Sequence, residues 1–508
     1  MTRKLISLVL ALAMLLACGS AFAQNAMGNK VKSTEENELM FWAESYDRLA
    51  NMPKNVQDVA DAEGIIMTFI PRPEDEKEFV NLKIISGEIP DYVRDFDFPT
   101  YSSFVDQGVL AEVPVEMIQE NAPHLYDWAV SNGGENIWGY YARDGKNYSV
   151  PILWTLAKDN RVLAIREDLW QKAGVTEIPT TIEEMGAALE KIHEQLGIAP
   201  LSATSMQYGL DWVFGAYGAY LNFHVNDETG ELEYGYIEDG AKEALAVLAD
   251  WYAKGLIDPE FYVNTDDNMQ DKWDNGEAAI LEHEWYFFVP QQCFYLGKFY
   301  ETCMANNPDA KITIIDAPTG NGTDRGFALG NVVVSSGLQF SAELSEEKIA
   351  RYLQFFDKYS FTFEGLAKML WGDEGVSYTY DEKTGVTWLP GYETKEERDA
   401  AGIGITSLPG CFNDYELQIP FMTAPEYIEQ RMDAPTHSSG EVDVMVPVYR
   451  PIYNEKIEAL DMILRQGFID IITGARPVDD FEAIRDEWLA SGGQEVLDES
   501  IAAYAAMQ

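Results

Sequence analysis

The sequence predicts an α/β fold, and two kinds of segment support that prediction. Short, continuous apolar runs are typical of strands that are buried on both faces. Segments with an apolar residue every three or four positions, bounded by capping residues and glycines, are typical of amphipathic helices. The 508 residues exceed the roughly 250–300 that one hydrophobic core usually supports, so we expect two or three packed units.

Apolar runs that predict strands recur through the first two thirds of the chain. Residues 39–43 and 65–70 are each followed by a polar or helical segment, which suits a parallel sheet covered on both faces. Further buried strands are predicted at residues 162–165, 278–281, 312–315 and 331–335. The turn residues at 381–385 predict a hairpin in the last third.

Capping residues and glycines predict two helices in the middle of the chain. Thr181, with Glu184 three positions later, forms a capping box, and the helix that follows ends before Gly197. A second helix runs from about Asp239 to Gly255. The residues predicted to be buried on these two helices are Met185, Leu189, Ile192, Leu196, Leu245, Leu248 and Tyr252.

Three more helices are predicted in the last third. One begins near Ser345, and two lie at the C-terminus, the second of them opened by Asp479 with Glu482. The residues predicted to be buried on the first two are Ile349, Leu353, Phe356, Ile457, Leu460 and Leu464. We find no repeat of fixed period and no low-complexity tract.

The first residues have the pattern of a signal peptide. Arg3 and Lys4 form a positive region, and the thirteen residues that follow are almost wholly apolar but too few to span about 30 Å of hydrocarbon. Two ends of this leader stay open. Residues 15–20 resemble a lipobox with Cys18 as the lipidated residue, whereas residues 21–23 (Ala-Phe-Ala) fit an ordinary cleavage site. A lipid on Cys18 is the one membrane attachment that we expect.

The charge of the chain excludes one class of partner. Acidic residues outnumber basic residues by 85 to 36, giving a formal net charge of -49 that repels phosphate backbones. We therefore expect no nucleic-acid partner. Such a charge keeps an exported protein in solution, and it says little about the ligand because net charge and pocket charge are separate quantities.

The cysteines and histidines form no metal or redox motif. Cys293 and Cys303 lie in a predicted helix about 15 Å apart along its axis, beyond disulfide reach. We expect both, and Cys411, to be small buried apolar residues. No metal-binding spacing relates the histidines, which are His124, His193, His224, His283 and His437. The chain also lacks a G-x-S-x-G elbow and a GK[ST] phosphate loop, so we expect no metal and no cofactor.

Several strings, taken in order, resemble the family 1 extracellular solute-binding proteins of ABC importers. Residues 86–91 (Ser-Gly-Glu-Ile-Pro-Asp) are similar to the family's S-G-x-x-P-D string, and residues 255–261 are similar to its G-L-I-D-P-E-F string. Residues 165–184 resemble the I-R-x-D-x-L, L-G-V and P-x-T-x-x-E succession of the LplA/aldouronate-type sugar-binding branch. Other similar strings lie at residues 273–279, 472–474 and 488–493.

The resemblance implies a two-lobed periplasmic-binding-protein fold of type II-like topology, with a hinge of two or three strands and a central ligand cleft. Some relatives carry a calcium loop after the helix that here ends at Gly197, but residues 198–208 contain no acidic residue, so we do not expect calcium there. The implied divisions are a signal peptide at 1–23 (1–17 in a lipoprotein), an N-terminal lobe at 38–155 plus 332–400, and a C-terminal lobe at 156–331 plus 401–508.

Candidate ligand-binding residues follow predicted strand ends. A sugar site needs aromatic faces for stacking on C–H surfaces, and carboxylate or amide groups for hydrogen bonds to hydroxyls. In open α/β sheets, ligands sit beyond the carboxyl ends of strands. The candidates are Trp42 with Glu44, Asp95 with Asp97, Trp154 and Thr155 near the expected crossing between lobes, Asp211, Trp212 and Tyr217, His283 with Trp285, and Asn331 at the return crossing. Each Trp can instead belong to the core, and each carboxylate can instead be a surface or capping group.

These observations predict an exported, non-catalytic, monomeric protein that captures a sugar or oligosaccharide and delivers it to the membrane subunits of an ABC importer. It would be a cell-surface lipoprotein or a released periplasmic or extracellular protein. Two alternatives stay open. One is a secreted glycoside hydrolase, with carboxylates about 5 Å apart if retaining or about 6.5–9.5 Å if inverting. The other is a binding protein for a peptide or another small solute.

Overall fold

Two compact units make up the chain. A computed structural model describes residues 30–43, 52–71, 76–94, 98–153, 161–204, 209–220, 222–226, 229–290, 298–320, 327–330, 334–381, 383–403, 417, 425–438, 440–445 and 448–507. Unit 1 comprises the described residues within 1–97, 103–152 and 336–421, and unit 2 those within 98–102, 153–335 and 422–508. The division therefore falls at residues 152, 335 and 421, against predicted lobe boundaries at 155, 331 and 400.

Unit 1 contains two sheets and two hairpins. β1 (Glu38–Ala43) and β2 (Ile66–Pro71) pair in parallel, as predicted for these apolar runs. β3 (Tyr92–Arg94), β13 (Val334–Phe340) and β6 (Val150–Leu153) form the second sheet in that order. The hairpins pair β4 (Ala142–Arg143) with β5 (Lys146–Asn147), and β14 (Tyr378–Asp381) with β15 (Gly385–Trp388). The second of these is the hairpin predicted at 381–385.

Eight helices, among the described residues, accompany these strands. They are α1 (Lys54–Glu63), α2 (Glu76–Ile85), α3 (Phe98–Asp106), α4 (Val115–Asn121), α5 (Pro123–Gly133), α12 (Glu346–Ser360), α13 (Phe363–Trp371) and α14 (Lys395–Ala400). α3 begins in the segment grouped with unit 2.

An aromatic cluster holds α12 against β1. As predicted, α12 begins after Ser345, whose side chain accepts a hydrogen bond from the backbone N–H of Lys348 at 3.2 Å. The buried rings of Tyr352 and Phe355 then lie 5.9 and 5.3 Å from the ring of Phe41. Because aromatic pairs at this distance add to the free energy gained by burial, the cluster stabilises the centre of unit 1.

Unit 2 is built on a three-stranded sheet in the order β10-β7-β11. β7 (Arg161–Arg166) pairs antiparallel with both β10 (Ile280–Glu284) and β11 (Ile312–Ile315), and every residue of β7 is buried. β11 is an edge strand, so Ile312 and Ile314 are only partly buried, contrary to prediction. The other pairs are β8 (Phe223–Val225) with β9 (Leu232–Tyr234), and β12 (Phe327–Gly330) with β16 (Gly440–Val442).

The described helices of unit 2 include the four predicted from capping residues and glycines, and the part of the helix predicted around Cys293 and Cys303 that the structure describes is also helical. They are α6 (Glu167–Lys172), α7 (Ile182–Leu196), α8 (Asp211–Gly215), α9 (Asp239–Ala253), α10 (Asp266–Asp274), α11 (Lys298–Asn306), α15 (Ile428–Asp433), α16 (Pro451–Ile472), α17 (Phe481–Trp488) and α18 (Gln494–Ala505). Of the residues predicted to be buried on α7, α9 and α16, Leu196, Tyr252 and Ile457 are only partly buried. Cys303 on α11 is buried as predicted, whereas Cys293 and Cys411 lie outside the described residues.

The two predicted capping boxes of unit 2 differ from the observed helix ends. The side chain of Thr181 caps α7 by accepting from the N–H of Glu184, but the Glu184 carboxylate accepts from the N–H and hydroxyl of Thr180 rather than from Thr181. The box predicted at Asp479 is wrong. α17 begins at Phe481 and has no side-chain cap.

Candidate functional site

Six of the twelve candidate ligand-binding residues lie in the described part of the chain. They are Trp42 in unit 1, and Asp211, Trp212, Tyr217, His283 and Trp285 in unit 2. The other candidates, Glu44, Asp95, Asp97, Trp154, Thr155 and Asn331, lie outside the described residues, as do Cys18 and the leader.

Trp42 is enclosed in unit 1. Its side chain is fully buried, and its indole N–H donates to the backbone oxygen of Tyr92 at 3.0 Å. The ring of Phe79 meets it edge to face at 6.1 Å. The hydrogen bond joins β1 to β3 and uses the single donor of the indole.

Asp211 and Trp212 begin the short helix α8, and both are buried. The Asp211 carboxylate accepts hydrogen bonds from Arg161 at 2.8 Å and from the Tyr236 hydroxyl at 2.7 Å. The Trp212 indole donates to the backbone oxygen of Gly209 at 3.0 Å, and its ring packs 5.8 Å from that of Trp251. α8 is thus fixed to the sheet by polar and apolar contacts together.

Arg161 also reaches a second carboxylate, which the sequence did not single out. Its Nη1 lies 3.2 Å from Oε1 of Glu282, and Oε2 of Glu282 accepts from the N–H of Gly209 at 3.1 Å. We call Arg161, Asp211, Tyr236 and Glu282 the Arg161 cluster. None of the four is more than 6% exposed. A charged residue at the edge of an apolar strand run is the sequence signal that could have identified Arg161 and Glu282.

Burial shapes the protonation of this cluster. It raises the pKa of Asp211 above its usual range, although the Arg161 guanidinium opposes that effect. Burial, together with the neighbouring Asp211 carboxylate, also raises the pKa of the Tyr236 hydroxyl well above its usual value. The tyrosine therefore stays neutral and donates its hydrogen to Asp211.

His283 and Trp285 continue the chain from Glu282 at the end of β10. The imidazole of His283 is buried between the rings of Phe287 and Phe299, at 4.6 and 5.0 Å. Burial alone would lower the pKa of His283, but the carboxylates of Asp266 and Glu284 outweigh that effect and raise it.

Trp285 is fully buried beneath an arginine. The guanidinium of Arg431, from α15, lies 5.1 Å from the centre of its ring, within the range of a cation–π contact. Arg431 is itself buried. The pair ties α15 to the end of β10.

Tyr217 keeps part of its side chain exposed, unlike the other described candidates. It follows α8, and burial raises the pKa of its hydroxyl. Among the described candidates in unit 2, Tyr217 is the aromatic residue that is not buried.

The structure therefore brings Asp211, His283 and Trp285 to the edge formed by the start of β7 and the end of β10. The buried carboxylates of Asp211 and Glu282 share the Arg161 guanidinium, so these two do not offer the exposed acid and nucleophile of a glycoside hydrolase.

A polar surface pocket of about 320 Å³ lies elsewhere in unit 2. Lys272 occupies one side, where its ammonium donates to Asp258 at 2.6 Å and to Asn264 at 3.1 Å. No aromatic ring lines the pocket, and none of the predicted candidates belongs to it. Its lining residues are Glu260, Val263, Asn264, Asn268, Asp271, Lys272, Asn275 and Glu277.

The described residues contain neither a metal-binding group nor a membrane-spanning helix. No group of three or more His, Cys, Asp or Glu side chains there is arranged to hold a metal ion. Within the same residues, no helix combines the length and the apolar character needed to span a bilayer.

Comparison with known proteins gives a family match over part of the chain and a fold match over most of it. The family described as bacterial extracellular solute-binding protein matches residues 80–292, which bears out the resemblance over that segment, while the LplA/aldouronate branch stays a prediction. No curated protein sequence matches the chain.

Solved structures match nearly the whole chain. Alginate-binding protein AlgQ2, solved without calcium ion, is 17% identical with a TM-score of 0.64, over 92% of this chain and 97% of that one. An EF-hand mutant of the S. pneumoniae ABC-transporter substrate binding protein FusA, in complex with fructo-nystose, is 16% identical with a TM-score of 0.64, over 93% and 99%. An HMO-binding, ABC-transporter-associated solute-binding protein from Bifidobacterium longum infantis is 14% identical with a TM-score of 0.66, over 92% and 97%.

At these identities the likeness concerns the fold. The predicted α/β class, matching two-lobed solute-binding proteins, is thereby confirmed.

Proposed function

We propose that this protein is an extracytoplasmic solute-binding component that captures a sugar or oligosaccharide for an ABC importer. The observation that carries the proposal is a fold shared over more than nine tenths of the chain with an alginate-binding protein, with FusA in complex with fructo-nystose and with an HMO-binding protein. The family match at residues 80–292 supports the same class of protein.

In this proposal the protein is not an enzyme, and it acts as a monomer outside the cytoplasm. The leader and either of its two predicted ends, with or without a lipid on Cys18, would export it. The partner would be the membrane subunits of an importer, and the chain would belong to the LplA/aldouronate-type sugar-binding branch.

We propose the same candidate residues as the ligand site, with the Arg161 cluster as the support beneath the part in unit 2. Tyr217 would supply an aromatic surface there, while Trp285 would act together with the guanidinium that covers it. The lobes would follow the predicted divisions at 155, 331 and 400.

A thermal-shift screen tests the proposal. The mature protein would be heated with neutral and uronic-acid-containing mono- and oligosaccharides, and with a peptide library in parallel. Binding to the folded state raises the melting temperature by mass action, by an amount that grows with ligand concentration over Kd. A shift with at least one sugar supports the proposal. A shift with peptides and with no sugar would transfer the function to peptide capture.

A further inference from the structure

Two side-chain amide oxygens are buried in unit 1 without a hydrogen-bond donor. They belong to Asn147, at the end of β5, and to Gln339, in β13, which are 7% and 1% exposed. Neither Oδ1 of Asn147 nor Oε1 of Gln339 has a hydrogen-bond partner in the described chain. Buried amide oxygens are nearly always paired, so this location requires a partner.

The orientation of the Asn147 amide is fixed by its neighbours. Its Nδ2 donates to the backbone oxygens of Val113 and Ser149, both at 2.9 Å. A flipped amide would direct its oxygen at two carbonyl oxygens, which cannot donate. Oδ1 of Asn147 is therefore a true acceptor.

Gln339 approaches the same serine from the other side. Its Nε2 donates to Oγ of Ser149 at 3.0 Å, and that hydroxyl donates to the backbone oxygen of Leu338 at 3.2 Å. Since the Ser149 hydrogen is already used, Oε1 of Gln339 is left as a second acceptor. Both amides thus converge on one residue.

The backbone of β13 makes room for this arrangement at Gly337. A Cβ atom on Gly337 would lie 2.2 Å from Oγ of Ser149 and 2.6 Å from Nε2 of Gln339. Both distances are far inside van der Waals contact, so any larger residue would displace the two polar groups. The polar site is therefore built into the strand.

We propose that Asn147 and Gln339 bind a buried water molecule, which donates one hydrogen to each amide oxygen. Water is the small ligand with two donors, and polar buried sites with several partners are where internal waters are held. The water would link β5 to β13 within five residues of the positions, 152 and 335, at which the chain leaves and re-enters unit 1. This inference stands whether or not the protein binds a sugar.

A crystal structure of the mature protein tests the water directly. We expect one density peak about 2.7–3.2 Å from both amide oxygens. A site without density would overturn the inference. So would a peak about 2.3–2.6 Å from five or more oxygens, since that pattern identifies a cation.

A double-mutant cycle tests it in solution. Gln339→Met and Asn147→Ala each remove one acceptor together with the amide donor beside it, and the second removal should cost less once the shared water has lost its first partner. We expect the double variant to lose at least about 2 °C less in melting temperature than the two single losses together. Gln339→Met combined with Asn55→Ala, a buried asparagine elsewhere in unit 1 that donates to Met369, should be additive.

Repeating the cycle in a Ser149→Ala protein shows whether the coupling depends on the water or on the Ser149 hydroxyl. Asn147 bonds the backbone of Ser149, and only Gln339 bonds its hydroxyl. If the water carries the coupling, non-additivity persists in the Ser149→Ala protein. Additivity in that protein, or in the original cycle, would contradict the inference.

Discussion

In the Arg161 cluster, one guanidinium faces two buried carboxylates. Removing a charge from such a group leaves its partners in a low-dielectric interior without compensation, which is more costly than the pair itself is worth. Asp211 already has a raised pKa because of its burial, so its charged form is disfavoured in the folded protein. The two ends of the ion pair should therefore respond differently to neutral substitutions.

We predict that Arg161→Met lowers the free energy of unfolding by about 3–5 kcal/mol at pH 7, because Asp211 and Glu282 lose their shared cation. Asp211→Asn keeps the shape and removes the disfavoured charge, so we expect a loss of less than about 1.5 kcal/mol. Urea denaturation of both variants measures the difference. Equal losses would show that the arginine does not stabilise the cluster.

Sequence alone does not separate an aromatic residue of the core from one that contacts a ligand. Trp42 and Trp212 are fully buried, with indole N–H groups bonded to backbone oxygens. A ring that stacks on a sugar and a ring in a core have the same apolar neighbours in the sequence, and tertiary packing decides which one is covered. The sequence could predict these residues as candidates, but not whether their rings are covered by the core.

Trp285 provides a test of the proposed ligand site. We expect Trp285→Ala to weaken binding of a sugar found in the screen by more than about tenfold, because the ring holds the guanidinium of Arg431 in place. Since the ring is buried, Trp285→Phe, which retains most of the packing, should weaken binding in the same direction with a smaller effect on folding. Titration calorimetry gives both affinities.

The matched control is Trp170→Phe. Trp170 is another buried tryptophan of unit 2, and its indole N–H donates to the backbone oxygen of Ala279 at 2.9 Å. This variant should lose stability without losing affinity. An unchanged affinity in both Trp285 variants would remove that residue from the site.

Glu38 should make folding pH-dependent in the acid range. Burial opposes its ionisation, but hydrogen bonds from Lys30, the Thr34 N–H and Thr68 outweigh burial and lower its pKa from 4.5 to about 2. A lowered carboxyl pKa stabilises the folded state above the unfolded pKa, and that stability is lost as pH falls from about 4.5 towards 2. We expect Glu38→Gln to cost about 2 kcal/mol at pH 7 and progressively less below pH 4.5.

Denaturation curves between pH 3 and pH 7 measure this dependence, with Glu88→Gln as the control. Glu88 also pairs with a lysine, Lys83, at 2.7 Å, but its side chain is 54% exposed, so its replacement should change stability much less. A Glu38→Gln deficit that stays constant across the pH range would contradict the prediction.

At the scale of elements, local signals predicted the strands and helices better than they predicted helix caps. Continuous apolar runs located β1, β2 and β7, although Ile66 of β2 is 47% exposed, contrary to the predicted burial of that strand. The predicted cap at Asp479 is wrong because both of its carboxylates face Lys242 of α9. The ammonium of Lys242 lies 3.5 Å from the Asp479 carboxylate and 2.7 Å from that of Glu482. A cation from a distant segment is invisible to local spacing.

The turn between α17 and α18 offers a test of packing at one element. A Cβ atom on Gly493 would lie 2.1 Å from Cε3 of the fully buried Trp488, although the φ angle of Gly493, -60°, suits any residue. We expect Gly493→Ala to destabilise the protein by about 1–3 kcal/mol through overpacking alone. Gly139, whose Cβ would meet nothing within 4 Å, is the control, and Gly139→Ala should be tolerated. Equal melting temperatures for the two variants would disprove this account of the turn.

At the scale of the whole molecule, the strings that resemble the family serve the scaffold. Asp91 of the first string accepts from Tyr352 at 2.7 Å, Asp168 pairs with Arg166 through two bonds of 2.9 Å, and Asp258 accepts from Lys272 at 2.6 Å. Each of these bonds lies within one unit, and Asp168 also accepts from the backbone N–H of Lys311 at 3.2 Å. Because the strings encode such joints, they predict the fold of the chain and leave the identity of the ligand open.

As a solute-binding protein, the chain should bind a glycan and release it unchanged. The most direct measurement is calorimetric titration of the mature protein with the best sugar from the screen, followed by chromatography of the sugar recovered after prolonged incubation. We predict saturable binding near one sugar per chain and complete recovery of the intact sugar. Shortened or rearranged sugar in the recovered material, or no saturable binding of any glycan, would contradict the account.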